Sequence, residues 1–92
     1  MVHIEVKSTW LAQNKEMFFA TFVEIKPALH EELYLVLFTP GGATILKAKN
    51  LENAGTLTLS VRKPMMWRDA VKAICNHACL TIEGHASWPT HQ

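Results

Sequence analysis

Cys75-Asn76-His77-Ala78-Cys79, followed by His85, is the densest run of metal-ligand and nucleophile side chains in this 92-residue sequence. Thiolates and imidazoles are good zinc ligands. On a helix turning about 100° per residue, Cys75 and His77 stand about 200° apart and cannot converge on one ion. Cys75 and Cys79 are separated by only about 40° and can, with His85 as a third ligand once the chain turns. A fourth would come from His3, His30, a carboxylate or water. The competing reading, which the pattern favours, makes both cysteines small hydrophobes flanking an apolar stripe. As nucleophiles they are poorly placed. A catalytic thiol needs a depressed pKa, and both sit at the carboxy-terminal end of the expected helix, where the dipole disfavours a thiolate.

Other chemistries are argued down in turn. Glu31-Glu32 is an adjacent pair in an expected loop, and Asp69 complements the start of a helix; neither has a partner for acid–base work. Pro40-Gly41-Gly42-Ala43-Thr44 matches neither a phosphate loop nor a dinucleotide fingerprint and is read as a hairpin turn. The sequence contains no Ser-centred nucleophile elbow and no HExxH. No motif calls for a cofactor, and the balance leans away from an enzyme. Three histidines, His3, His30 and His85, are the acid–base groups left for a small enzyme whose site is completed across an oligomer interface.

The bulk composition narrows the partners. Hydrophobic residues make up 49% and charged residues 18%, a globular balance with little polar surface to cover the fold, which favours a buried partner interface. Net charge is +1 and the nine Lys and Arg are dispersed. Lys47 with Lys49, and Arg62 with Lys63, are the nearest approaches to a basic patch, far from the footprint of a phosphate-neutralising protein. Nucleic acid is therefore disfavoured as a partner. The longest apolar run, Leu33–Phe38, is strand-sized and well short of the ~20 residues of a membrane helix. The amino terminus reads as neither a signal nor a transit peptide, so a cytoplasmic protein with no membrane partner is expected. Two cysteines four apart are not a disulfide framework.

The elements that must position these residues follow from periodicity. Residues 2–11 alternate, with Val2, Ile4, Val6, Ser8 and Trp10 on one face and His3, Glu5, Lys7 and Thr9 on the other, predicting a half-buried strand. Gln13-Asn14-Lys15-Glu16 reads as a hairpin loop. Residues 17–25 are compatible with an amphipathic helix, but their aromatic and β-branched content favours a strand, with Met17, Phe19, Val23 and Ile25 opposite Phe18, Ala20 and Phe22. Lys26-Pro27 breaks it, and residues 27–32 form a loop or a helical turn. Residues 33–39 are apolar on both faces. The glycine turn at 40–42 sends 43–49 back beside them. After a turn from Asn50 to Gly55, residues 56–62 alternate with Leu57, Leu59 and Val61 inward. Pro64 is a fitting first helical position, and Trp67, Ala70, Val71, Ile74 and Ala78 line one stripe of a helix over 64–78. Leu80 and Ile82 allow a last short strand ended by Gly84.

The expected fold is α+β: one domain over residues 1–92, an antiparallel β-meander of about five strands, a sixth at most, with one C-terminal helix packed on one face. The tail, 85–92, is expected to be loose, with Trp88 able to dock. Strands apolar on both faces need two covers, and one helix supplies only one. Either the sheet curls around its own core or a second molecule covers the open face.

Three tryptophans, Trp10, Trp67 and Trp88, are many for a chain this short, and Trp and Arg are favoured interface anchors. Trp67 fits the apolar stripe and Trp88 a surface; with Arg68 they are the candidate interaction residues. Met65-Met66-Trp67-Arg68 also makes a soft, adaptable helix opening suited to gripping a partner. The leading expectation is a small non-enzymatic interaction module that forms a homodimer or binds a partner protein, such as a regulator or inhibitor encoded on a mobile element. Two other readings stay open: a small-ligand or zinc-binding domain using Cys75, Cys79 and His85, and the interface enzyme.

Overall fold

A computed structural model describes residues 4–26, 32–48, 54–63 and 65–89. Its element order is β1 (Ile4–Trp10), β2 (Ala12–Gln13), β3 (Met17–Ile25), β4 (Glu32–Thr39), β5 (Gly42–Ala48), β6 (Gly55–Arg62), α1 (Trp67–His77) and β7 (Leu80–Ser87). This is a small mixed α+β domain, as the periodicity predicts, but it is not a five-strand meander. Among the described residues, seven strands form two sheets, β1-β4-β5-β7 and β2-β3-β6. The first alternating segment is broken at Leu11, whose N–H donates to the Phe38 carbonyl at 2.8 Å; beyond it, β2 joins the other sheet. β1 lies parallel to β4. Parallel pairing needs a crossover, and the β2–β3 excursion supplies it, which local alternation has no means of announcing.

Residues 17–25 are a strand, antiparallel to β6. The expected faces hold for Phe18, Ala20 and Phe22, which are buried, but Ile25 joins them while Val23 is exposed. The register slips between Phe22 and Ile25, and Glu24 takes φ 58°. A bulge of this kind shifts the two-residue period and returns Ile25 to the core. β4 and β5 form the expected hairpin, with Thr39 opposite Gly42. Thr39, fully buried, fastens the turn, its hydroxyl donating to the Gly42 carbonyl at 3.1 Å and accepting from the Gly41 N–H at 3.2 Å. Glu32, expected in a loop, opens β4 instead.

The core takes Phe22 and Ile25 from β3, Leu33, Leu35 and Leu37 from β4, Leu46 from β5, Val71 and Cys75 from α1 and Leu80 from β7. Each fully buried Leu or Phe contributes about 2 kcal/mol of burial. The helix is shorter than the predicted 64–78, and Pro64 lies outside the described residues. Its apolar stripe buries Ala70, Val71, Ile74 and Cys75 and rests on β6 and β7, one strand from each sheet. It therefore closes the gap between two sheets rather than covering the face of one.

The C-terminal segment is also better ordered than expected. β7 runs to Ser87, passing Gly84 through a register shift between Ile45 and Leu46 of β5, so residues 85–87 belong to the sheet and not to a loose tail. Trp88 is docked: its N–H donates to the Gly41 carbonyl at 3.3 Å and its indole Nε1 to the Thr39 carbonyl at 2.7 Å. The expected loop over 27–31 and most of the turn from Asn50 to Gly55 lie outside the described residues, as do residues 1–3 and 90–92.

Candidate functional site

The molecule is only 20 Å thick in its shortest dimension, the depth of two layers about 10 Å apart. The inner face of the four-stranded sheet is covered by the second sheet and α1. Its outer face has no third layer among the described residues.

Strand register lays out that face. Residues paired across strands share a side of the sheet. One row runs Val6, Tyr34, Lys47, Thr81; the next Ser8, Val36, Ile45, Gly84; the third Trp10, Phe38, Ala43, Ala86. Ile4 and Glu32 begin a further row. Tyr34, Val36 and Phe38 alternate with the buried Leu33, Leu35 and Leu37, which explains why β4 is apolar on both sides. Ile4, Val6, Trp10 and Ile45 are 58%, 58%, 61% and 37% exposed.

β1 is the informative strand because its amphipathicity is inverted. Its apolar row, Ile4, Val6 and Trp10, is the exposed one, while Glu5, Lys7 and Thr9 are half-buried on the side toward β3. Lys7 Nζ lies 3.1 Å from Glu5 Oε1 on that side, so the two charges are neutralised where water is scarcer. A solvated strand would be placed the other way round.

At one end of the face the aromatics cluster. Trp10 and Phe38 ring centroids are 5.3 Å apart, Phe38 and Trp88 6.0 Å, and Trp10 and Trp88 5.7 Å, all within the range of favourable ring pairs. At the other end Lys47 Nζ reaches Glu32 Oε1 at 3.4 Å, lies 5.7 Å from the Tyr34 ring centroid, and the Tyr34 hydroxyl donates to Glu32 at 3.5 Å. Glu32 beside Lys47 holds the ammonium above the ordinary lysine range. Glu83, which accepts from the Thr81 hydroxyl at 3.1 Å and also acts on Lys47, lies at the same end, so this end of the face carries two carboxylates against one ammonium.

The predicted interaction residues are divided. Trp88 belongs to the outer face. Trp67 packs against the core cluster, with its ring on Gly41, where an added Cβ would stand 2.5 Å from Cη2. Arg68 lies over Trp67, its Cζ 4.6 Å from the ring centroid, and so attends the helix opening rather than the sheet. Trp10, one of the three tryptophans noted in the sequence, completes the face with Ile4, Val6, Tyr34, Val36, Phe38 and Ile45, which the sequence does not single out as interaction residues. Their alternation was legible; which side of the strand faces solvent was not.

The predicted metal residues are not assembled. Cys75 is buried, Cys79 exposed, and neither is in a disulfide. His85 Nδ1 pairs with the buried Thr44 hydroxyl at 3.0 Å. No group of three or more His, Cys, Asp or Glu side chains able to hold an ion occurs among the described residues. Burial pushes the Cys75 thiol up, the wrong direction for a nucleophile. Of the acid–base histidines, His3 and His30 lie outside the described residues. A small hollow of about 170 Å³ between β6 and α1 brings His77 near Thr58 and Ser60, but His77 hydrogen-bonds neither hydroxyl among the described residues. No described helix is long and apolar enough to cross a membrane.

No family model matches this chain, and no curated protein or solved structure matches it either.

Proposed function

We propose that this protein is a non-enzymatic interaction module that self-associates, two copies packing the outer faces of their four-stranded sheets together. The inverted β1 carries the reading. A strand that turns Glu5 and Lys7 inward and Ile4, Val6 and Trp10 outward sacrifices burial unless its outer row is covered. The exposed fractions of Ile4, Val6, Trp10, Ile45 and Trp88 amount to roughly 500–600 Å², the upper end of the about 300–600 Å² found for the largest patch of an ordinary monomer. That approaches the roughly 800 Å² each partner contributes to a standard interface. A second copy is the occupant because the face is only weakly charged: Lys47 answers Glu32 and Glu83, leaving one carboxylate in excess, so like copies repel little and a strongly charged partner gains little. A two-fold axis through the face is the ordinary way to close such a contact. Under this reading the module acts as a regulator or inhibitor that works as a dimer.

Sedimentation equilibrium of the wild type and of a Val6→Lys, Ile45→Lys double variant tests the reading. Both side chains point out of the fold, so the variant keeps its far-ultraviolet spectrum. The wild type is expected as a dimer and the variant as a monomer. A wild type that stays monomeric at high micromolar concentration, or a dimer untouched by the two lysines, ends the proposal.

A further inference from the structure

A second surface differs in chemistry and location. An open cleft of about 840 Å³ lies where the chain leaves β6 for α1, lined by Lys15, Glu16, Arg62, Lys63, Met65 and Met66. Backbone bonds fix its wall. Met17 and Arg62 are register partners, and the Lys63 N–H donates to the Glu16 carbonyl at 2.6 Å. Asn14 Oδ1 accepts from the N–H groups of Glu16 and Met17 at 2.8 and 2.7 Å. Lys63 Nζ donates to the Asn14 carbonyl at 2.9 Å and stands 5.1 Å from the Phe18 ring centroid. A ligand therefore does not have to order this wall before binding it.

The lining holds three cations against one carboxylate, a net charge of +2. Lys63 is engaged with Asn14 and Phe18, but Lys15 and Arg62 have no ion-pair partner among the described residues. α1 opens at the same place. Its N-cap, Met66, is extended and makes no side-chain cap hydrogen bond, leaving the first-turn N–H groups without a side-chain acceptor at their own cap; Asp69 is the one acidic residue in that turn. Met65 and Met66, 39% and 63% exposed, add two flexible thioether chains to the cleft.

A bare inorganic anion would use the charge and leave the methionines idle. A wholly apolar ligand would leave the cations unanswered. A peptide with carboxylates beside an apolar side chain uses both: charge-assisted bonds to Arg62 and Lys15, and a soft, adaptable contact with methionine. We propose that this cleft binds an acidic peptide segment of a partner protein, its carboxylates on Lys15 and Arg62 and an apolar side chain against Met65 and Met66. The inference does not rest on self-association, which uses the outer face of the other sheet.

Fluorescence anisotropy of the full chain with a short labelled peptide of alternating glutamate and leucine tests it. Saturable binding is expected, weakening with added salt and falling roughly tenfold in a K15Q/R62Q variant. A M65Q/M66Q variant should bind several-fold more weakly, and a glutamine-for-glutamate peptide at least roughly tenfold more weakly. Both cations are exposed, so K15Q/R62Q should keep the wild-type spectrum and the wild-type sedimentation, which separates failure here from failure of the dimer reading. No saturable binding, equal affinity for the two peptides, or unchanged affinity in K15Q/R62Q overturns the proposal. Displacement of the peptide by inorganic phosphate or oligothymidylate, at concentrations below the peptide's own dissociation constant, overturns it in favour of a phosphate site.

Discussion

Trp10, the last residue of β1, stacks on Trp88, the first residue beyond β7, with ring centroids 5.7 Å apart and planes 24° from parallel. β1 and β7 are opposite edges of the four-stranded sheet, so this contact spans the sheet across its outer face, with Phe38 completing the cluster. The indole Nε1 of Trp88 ties it to the β4–β5 turn through the Thr39 carbonyl. The two rings form one end of the apolar face and hold the residue that follows β7 against it.

Removing this clasp should cost stability. Trp88→Ala loses aromatic burial and a hydrogen bond, and urea unfolding should show a loss of about 2–3 kcal/mol. Trp88→Phe keeps the stacking and should lose about 1 kcal/mol. A double-mutant cycle between Trp10→Ala and Trp88→Ala should give a coupling of about 0.5–1.5 kcal/mol. Strict additivity would mean that the rings merely lie close.

Two glycines with positive φ should respond unequally to alanine. Gly42 has φ 141°, and a Cβ there would collide with the carbonyl oxygen of Ala86 in β7. Gly42→Ala therefore has to open the β5–β7 pairing and should cost about 3 kcal/mol or more. Gly55 has φ 104° but open space around its missing Cβ. Gly55→Ala meets backbone strain alone, about 1–2 kcal/mol. Equal losses in thermal melts would contradict the packing at Gly42.

Cys79 follows the helix C-cap Ala78 and holds φ 55°, the left-handed conformation that usually falls to glycine just past a helix end. Its side chain is exposed, so little packing is lost on its removal. Cys79→Gly should raise stability by about 0.5–1 kcal/mol, while Cys79→Ala should not. Chemical denaturation of the three proteins at one pH decides it.

The two thiols should behave differently with pH and reagent. Burial raises the Cys75 pKa above its ordinary value, so the folded state keeps its proton at a pH where the unfolded chain has begun to lose it. Its contribution is fully present below the ordinary thiol pKa of about 8.5 and is lost as pH rises through the higher folded value. Denaturation midpoints measured from neutral pH to about pH 10 should fall for the wild type, and less steeply for Cys75→Ala. A thiol reagent at neutral pH should label Cys79 at once and Cys75 only as the helix opens. Equal labelling rates would contradict the burial of Cys75.

Much of the secondary structure was legible in sequence because it depends on neighbours. The run 17–25 declares a strand through its aromatic and β-branched residues, Pro40-Gly41-Gly42 declares a tight hairpin through the backbone freedom of glycine, and the stripe from Trp67 to Ile74 declares a helix through its 3.6-residue period. That β4 is apolar on both faces was legible too, since Leu33–Phe38 has no polar side. What only tertiary structure decided were relations without a local signature. Nothing near Ile4–Trp10 specifies a parallel partner in β4, because that pairing is chosen by long-range burial after the chain has crossed to the other sheet. Nothing in 17–25 announces the bulge at Glu24 that returns Ile25 to the core. Cys75, Cys79 and His85 are close in sequence, yet a helix end and a strand direct them to a core, to solvent and to Thr44. The candidate face is the sharpest case: alternation puts Ile4, Val6 and Trp10 on one side of β1, but which side meets water depends on what the rest of the chain stacks against that strand.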